Sequence, residues 1–157
     1  MTSALILDLD GVLITTPSWQ SDILHVDGYS EFNQDCVDNF IVLLDWIGND
    51  IQLWLSSSRR ATKTKKEFDE IFFNRGIRKA LSGFLPIRET KMKRCDEIKA
   101  FLAEKHFDYY IILDDDSSLE GLNETQRKSW IRTYPLVGFD SSKLNEAREL
   151  IHEWKSI

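Results

Sequence analysis

The sequence is poor in the residues that hold a chain together by covalent or metal cross-links. Its 157 residues include two cysteines, Cys36 and Cys95. Two are too few for a disulfide framework, so both are expected to act as small buried hydrophobes in a reducing cytoplasm. The histidines, His25, His106 and His152, are scattered without metal-ligand spacing, which argues against a histidine-based metal site. No apolar run approaches the ~20 residues that a membrane span requires. The chain enters an apolar segment almost at once, leaving no room for a basic n-region and a cleavable signal. Positive charge is also in deficit: 20 Lys and Arg stand against 26 Asp and Glu, a net charge of −6. That balance excludes bulk coating of nucleic acid but not a local basic site. Internal repeats, low-complexity stretches and long linkers are missing as well. The remainder, 42% hydrophobic and 29% charged, is an ordinary globular composition. It is expected to form one domain over residues 1–157 with a substantial core.

What is present stands out first at Ala4 to Ile14, ALILDLDGVLI. Ala4, Leu5, Ile6 and Leu7 supply the continuous apolar run of a buried strand. Asp8 and Asp10 then break it at the carboxyl end, the edge where open α/β sheets bind ligands. At i and i+2 the two carboxylates point the same way and repel, so a cation or a shared proton is expected with them. Gly11 lets the backbone turn sharply past that point.

Further strands are predicted at Ile51–Leu55, running into Ser56-Ser57-Ser58, and at Tyr109–Leu113, running into Asp114-Asp115-Asp116. A weaker one spans Ser129–Tyr134. Between them Val37, Phe40, Ile41, Leu44 and Ile47 recur at helical spacing, with Asp35 as N-cap and Gly48 as stop. Phe68, Ile71, Phe72 and Arg75 mark a helix closed by Gly76. Another covers Cys95 to Lys105, and a last one runs from about Ser142 to Lys155. Thr15 to Asn33 reads as loop or hairpin, and Arg60 to Met92 as a helix and a connector. Strands alternating with helices predict a three-layer α/β/α sandwich around a mostly parallel, Rossmann-like sheet with the Asp8 strand central. The clusters DLD, SSS and DDD should then meet at one sheet edge.

That convergence has a chemistry. Carboxylates from two strands are hard oxygen ligands suited to Mg²⁺. Serines at a neighbouring strand end, before a helix N-terminus, donate to phosphate oxygens. Basic residues crowd the same regions: Arg59, Arg60, Lys63, Lys65 and Lys66, then Arg88, Lys91, Lys93 and Arg94. In an acidic chain such local positive charge points to an anionic substrate. Metal, hydroxyls, cation and a carboxylate nucleophile together describe phosphoryl transfer through an aspartyl-phosphate. Lys63, Lys65 and Lys66 read equally as a solvated helix face, and Asp116 as a helix-start residue. Trp19 and Tyr29 lie in the loop over this edge, where they could stack a base. Trp46, Trp54 and Trp154 read as packing residues.

DLDGVL at Asp8–Leu13 resembles the first motif of the haloacid dehalogenase (HAD) superfamily. LSSSRR at Leu55–Arg60, RCDEI at Arg94–Ile98 and ILDDD at Ile112–Asp116 resemble the HAD domain found with RNA-repair Swiss Army Knife proteins, and the likeness extends to Gly138-Phe139-Asp140. The resemblance implies Asp8 as nucleophile and Asp10 as the acid and base. It implies Ser57, or alternatively Ser56, on a phosphate oxygen. Arg94 would be the counter-charge, with Lys93 and Lys91 competing for that role. The metal set would be Asp8, Asp10, Asp114 and Asp115, with Asp115 favoured as the direct ligand. Close relatives tend to carry tryptophan before the arginine where this chain has Arg59, so either Arg59 or Arg60 reaches inward. The gaps leave room for a minimal hairpin flap and no complete cap, implying an open site. The expected activity is a Mg²⁺-dependent phosphatase acting on phosphorylated nucleotides or nucleic-acid ends. The rival reading is a receiver-like or degenerate phosphate-binding module without turnover. A receiver places its acidic pair after the first strand and its phosphorylated aspartate after a middle one, whereas here the acid-x-acid pair comes first and a serine cluster follows.

Overall fold

The computed structural model describes residues 1–88 and 91–156. Among them five strands, β1 (Ser3–Leu7), β2 (Gln52–Leu55), β3 (Gly83–Phe84), β4 (Tyr109–Asp114) and β5 (Trp130–Arg132), form a sheet in the order β3-β2-β1-β4-β5. Every pairing is parallel, and β1 is central. The helices are α1 (Gln34–Ile47), α2 (Lys65–Asn74), α3 (Arg94–Lys105), a single turn α4 (Glu124–Arg127) and α5 (Ser141–Lys155). Short 3₁₀ turns follow β2 at Ser58–Ala61 and β4 at Ser117–Gly121.

Strand alternation divides the core into two. Leu5 and Leu7, with Leu53, Leu55, Ile111, Leu113 and Ile131 in register, face a cluster filled by Phe40 of α1, Phe68 and Phe72 of α2, and Ile151 of α5. Ile6 and Ile112 face the other way, onto Ile98, Phe101 and Leu102 of α3. Because both faces are covered, the strands carry unbroken apolar runs rather than an alternation with polar residues. Cys36 and Cys95 are buried free thiols, one in each cluster, and burial pushes Cys36 up to about 11. No helix among the described residues is long and apolar enough to cross a membrane.

The structure departs from expectation at three places. β3 lies in what reads as mere connector, because an edge strand of two residues has no periodicity to detect; residues 89 and 90 of that connector are outside the described residues. The N-cap of α1 is Asn33, whose side chain accepts from the Cys36 N–H, rather than Asp35. The α4 turn, held by an Asn123/Gln126 capping box, is also additional.

The segment between β1 and α1 folds over the sheet edge as a small flap, with an antiparallel bridge between Leu24 and Ser30. Arg75, buried at the end of α2, anchors it. Its guanidinium donates to both Asp27 carboxylate oxygens at 2.6 and 3.1 Å and to the Ser30 carbonyl at 2.8 Å, and lies 4.6 Å from the centre of the Phe32 ring. These bonds hold the Asp27 carboxyl far below the usual carboxylate range. The latch therefore contributes its full stability above the unfolded aspartate pKa and loses it progressively as pH falls from there through the lowered folded value. Replacing Asp27 with alanine should release the flap. Proteolytic cleavage within residues 15–33, in the regime where it follows the open population, should quicken about tenfold or more. Unaltered cleavage would assign the flap's order to Phe32 and Tyr29 packing instead.

Candidate active site

Parallel register carries the polar clusters to one place. Leu7 pairs with Leu55 and Leu113, and the next residue on each strand is Asp8, Ser56 and Asp114. The row is stitched by the Ser56 N–H to the Leu7 carbonyl at 2.8 Å and the Asp8 N–H to the Leu113 carbonyl at 3.0 Å. One step past Leu7, these side chains belong to the face covered by α3, and Arg94 is the first residue of that helix. Its guanidinium reaches Asp114 at 2.6 Å and Asp8 at 3.5 Å. A cation at a helix N-terminus is unfavourable by itself; here the two buried carboxylates compensate. Burial disfavours the charged guanidinium, but Asp114 and Asp8 outweigh it and Arg94 stays firmly protonated.

Asp8, Asp114 and Asp115 each offer a carboxylate oxygen, all within 4.8 Å of one another. Asp8 is 5% exposed and Asp114 fully buried. Burial, then the neighbouring Asp114 charge, pushes the Asp8 carboxyl well above its ordinary range. Burial likewise raises Asp114, and burial with the Asp114 charge raises Asp115. One guanidinium cannot neutralise three clustered acids. An all-oxygen donor set with surplus negative charge fits a hard divalent cation of the Mg²⁺ class. Gly11 makes the cluster possible. At φ +79°, a Cβ there would sit 2.1 Å from Asp115 Oδ2, so only glycine lets the loop pass over the acid.

Asp10 does not join this cluster through its side chain. That carboxylate is 53% exposed and takes two bonds from Arg59, from Nε at 2.8 Å and from Nη2 at 2.9 Å. Arg59 is braced in turn by the Tyr29 hydroxyl at 3.2 Å and Ser30 Oγ at 3.0 Å. The expected side-chain role of Asp10 in holding metal is therefore not what this geometry presents. The i, i+2 parallelism fails because β1 ends at Leu7 and the chain turns within Leu9–Ile14.

The two arginines after the serines take opposite directions. Arg59 lies over the site. Arg60 is buried beneath it, donating to the carbonyls of Leu85, Ser56 and Ser57 and pairing with Glu97. Arg60 borders the cleft that Lys91 and Lys93 line, and its donors brace the loop after β2. The serines differ as well. Ser57 Oγ caps the 3₁₀ turn by accepting from the Arg59 N–H at 3.2 Å. Ser56 Oγ is fully buried without a partner, in the row of Asp8. Lys91 and Lys93 are exposed, with Lys93 at the N-cap of α3. Lys63 and Lys65 pair with Glu67 and Asp69 one helical turn on, and Arg88 pairs with Glu104. Asp116 caps the turn after β4 through the Ser118 N–H.

Two clefts flank the acids. One of about 840 Å³ is lined by Asp10, Gly11, Arg59 and Asp115, by flap residues including Pro17 and Trp19, and by Pro135 and Leu136. The other, about 780 Å³, is lined by Ser58, Lys91, Lys93, Arg94, Ser117 and Ser118 among others. Trp19 faces the first cleft, whereas Tyr29 is turned inward, edge-on to Phe68. Sequence reasoning missed Tyr29 and Ser30 as the brace of Arg59, Glu97 as the lock on Arg60, and Pro135 and Leu136 as cleft wall. Only Glu97 left a local trace, at i+3 from Arg94 on the same helix.

A family model described as the HAD domain in Swiss Army Knife RNA repair proteins matches residues 4–144. No curated protein and no solved structure matches the chain.

Proposed function

The chain belongs to the family of HAD domains in Swiss Army Knife RNA repair proteins, and from that premise we propose that it is a divalent-metal-dependent phosphohydrolase acting on phosphorylated nucleotides or nucleic-acid ends. The observation that carries this reading is the group of carboxylate oxygens of Asp8, Asp114 and Asp115 within 4.8 Å of one another, with Arg94 against two of them. Asp8, Asp114 and Asp115 would hold Mg²⁺, which when bound offsets their repulsion and draws charge from the phosphoryl group.

In this reading an Asp8 carboxylate oxygen attacks phosphorus and the ester P–O bond breaks. Asp10 gives its proton to the departing oxygen, leaving an aspartyl-phosphate on Asp8. Asp10 then takes a proton from a water that attacks the same phosphorus, and orthophosphate leaves with Asp8 restored. Asp10 must first part from Arg59 and take up a proton from solvent before it can act as the acid. An incoming phosphate offers Arg59 a better-charged bidentate partner, so substrate entry would release the acid and hold the phosphate in one exchange. Ser56, the unpartnered hydroxyl beside Asp8, is the better donor to a phosphoryl oxygen. Ser57 shapes the loop, and Lys93 meets more distant negative charge.

The test is hydrolysis of p-nitrophenyl phosphate with and without Mg²⁺, in wild type and Asp10→Asn. Wild type should turn over only with metal. The variant should lose about 10²–10⁴-fold in kcat while binding Mg²⁺ with little change, since its side chain stands outside the acidic cluster. Stable phosphorylation without release of phosphate in wild type would instead favour the receiver-like reading.

A further inference from the structure

We infer that the cleft beside Asp10 is a nucleoside subsite in which the indole of Trp19 stacks on the base of the leaving group. The inference rests on the phosphohydrolase reading, because that reading says which side of the site the leaving group occupies. The residue that protonates the departing oxygen must touch it, and Asp10 lines the 840 Å³ cleft, not the basic one. The leaving group therefore lies in the cleft with Trp19.

The walls of that cleft select a flat apolar group. Ile14, Pro17 and Trp19 come from the flap side and Pro135 and Leu136 from the turn after β5. Trp19 is 76% exposed and Leu136 56%. The large aromatics of the core are packed against neighbours, but this indole is presented to solvent on a segment held in place by the Arg75–Asp27 latch. Exposed apolar surface at the mouth of a site marks a binding surface. Thr16, Ser18 and Gln20 share the wall and offer donors and acceptors to sugar hydroxyls and base edges. The other cleft is lined by Lys91, Lys93 and Arg94 together with Glu97 and Asp116, and among the described residues by no aromatic side chain. The aromatic surface thus lies in the cleft that Asp10 and Arg59 line, where Arg59 would meet the phosphate.

Stacking on an aromatic residue contributes about 1–3 kcal/mol per base, which is about 5- to 150-fold in affinity. The experiment measures kcat/KM with Mg²⁺ for adenosine 3′- and 5′-monophosphates, glucose 6-phosphate and glycerol 2-phosphate. Trp19→Leu keeps apolar area without an aromatic face, and Trp19→Phe keeps the face. The preference for adenosine monophosphates over glycerol 2-phosphate should fall about tenfold in Trp19→Leu, chiefly through KM, and recover in Trp19→Phe. An unaltered preference in Trp19→Leu overturns the subsite and leaves the phosphohydrolase reading standing. An equal loss for glucose 6-phosphate makes the indole a sugar platform and overturns it too. If only glycerol 2-phosphate is hydrolysed, the nucleotide choice and the subsite fall together.

Binding without turnover supplies the independent arm. Adenosine monophosphate should quench tryptophan fluorescence in Asp8→Asn, and the quench should vanish in Asp8→Asn combined with Trp19→Phe. A quench from Trp19 in a protein that hydrolyses no phosphoester sustains the subsite and overturns the phosphohydrolase reading. No quench and no hydrolysis overturn both.

Discussion

Asp8→Asn is expected to lower phosphoester turnover about 10⁴-fold or more and, in metal-free buffer, to make the protein more stable. The first effect follows from the proposed nucleophile: an amide oxygen is a poor one, and what remains is positioning by the other groups. The second follows from electrostatics. Asp8 is buried beside Asp114 and Asp115, and its carboxyl sits well above the ordinary range. Between the unfolded aspartate pKa and that raised value, the folded state binds the extra proton, so wild-type stability falls as pH rises through the window. Above that window the whole penalty is present, and asparagine removes it. Relief of about 1–2 kcal/mol corresponds to a Tm rise of about 2–8 °C for a chain of this size. Thermal unfolding from pH 4 to 8 in chelator checks this: the wild-type decline should flatten in Asp8→Asn. The Asp27 latch does not confuse the reading, since its lowered pKa places its loss below the unfolded value. Added Mg²⁺ should reverse the order, stabilising wild type more than the variant. A variant less stable than wild type in chelator would mean that Asp8 is not a repulsive group in the fold.

Arg94→Met carries the second large effect. The guanidinium contacts both Asp8 and Asp114, and methionine keeps much of its volume without its charge. Removing one side of a buried ion pair costs about 3–5 kcal/mol, because the partners remain as uncompensated charges. Turnover should also fall about 10²–10³-fold, from loss of a fixed positive charge beside the proposed reacting phosphate. The two losses separate with pH. Without Arg94 the carboxyls protonate more readily, so the stability deficit in urea unfolding should shrink from pH 7 to pH 5. A deficit of equal size at both would point to lost packing under α3 rather than lost charge.

Much of the site was legible because strand signals and polar clusters coincide. ALIL before Asp8, IQLWL before the serines and YYIIL before the acids each mark a buried strand by its apolar run. Three parallel strands of similar phase must deliver their ends to one edge. The positions of Asp8, Ser56 and Asp114 follow from that, as does the place of Arg94 at the start of the next helix. Less was legible where a side chain's direction depends on a non-repeating loop. Asp10 and Asp8 look equivalent in the sequence, yet the chain leaves the strand after Leu7 and sends the Asp10 carboxylate to Arg59. Arg59 and Arg60 are adjacent and chemically identical, and one 3₁₀ turn sends one over the site and buries the other. Ser56 and Ser57 divide in the same way, one hydroxyl left without a partner and one accepting from the Arg59 N–H in a cap.

The sequence by itself determined the parallel sheet with β1 at its centre, the meeting of its polar strand ends, and the acidic cluster with a basic residue facing it. Apolar run, turn and period are local properties, and backbone geometry converts them into a layered fold with few alternatives. Only the tertiary structure decided that Asp10 is held by Arg59, that Arg60 braces the loop, and that Trp19 meets Pro135 and Leu136 across one cleft. Those pairings join residues far apart in the chain, or separate neighbours, and no local periodicity encodes them. They are set by how the flap is latched and by which donors the surrounding carbonyls and carboxylates satisfy first.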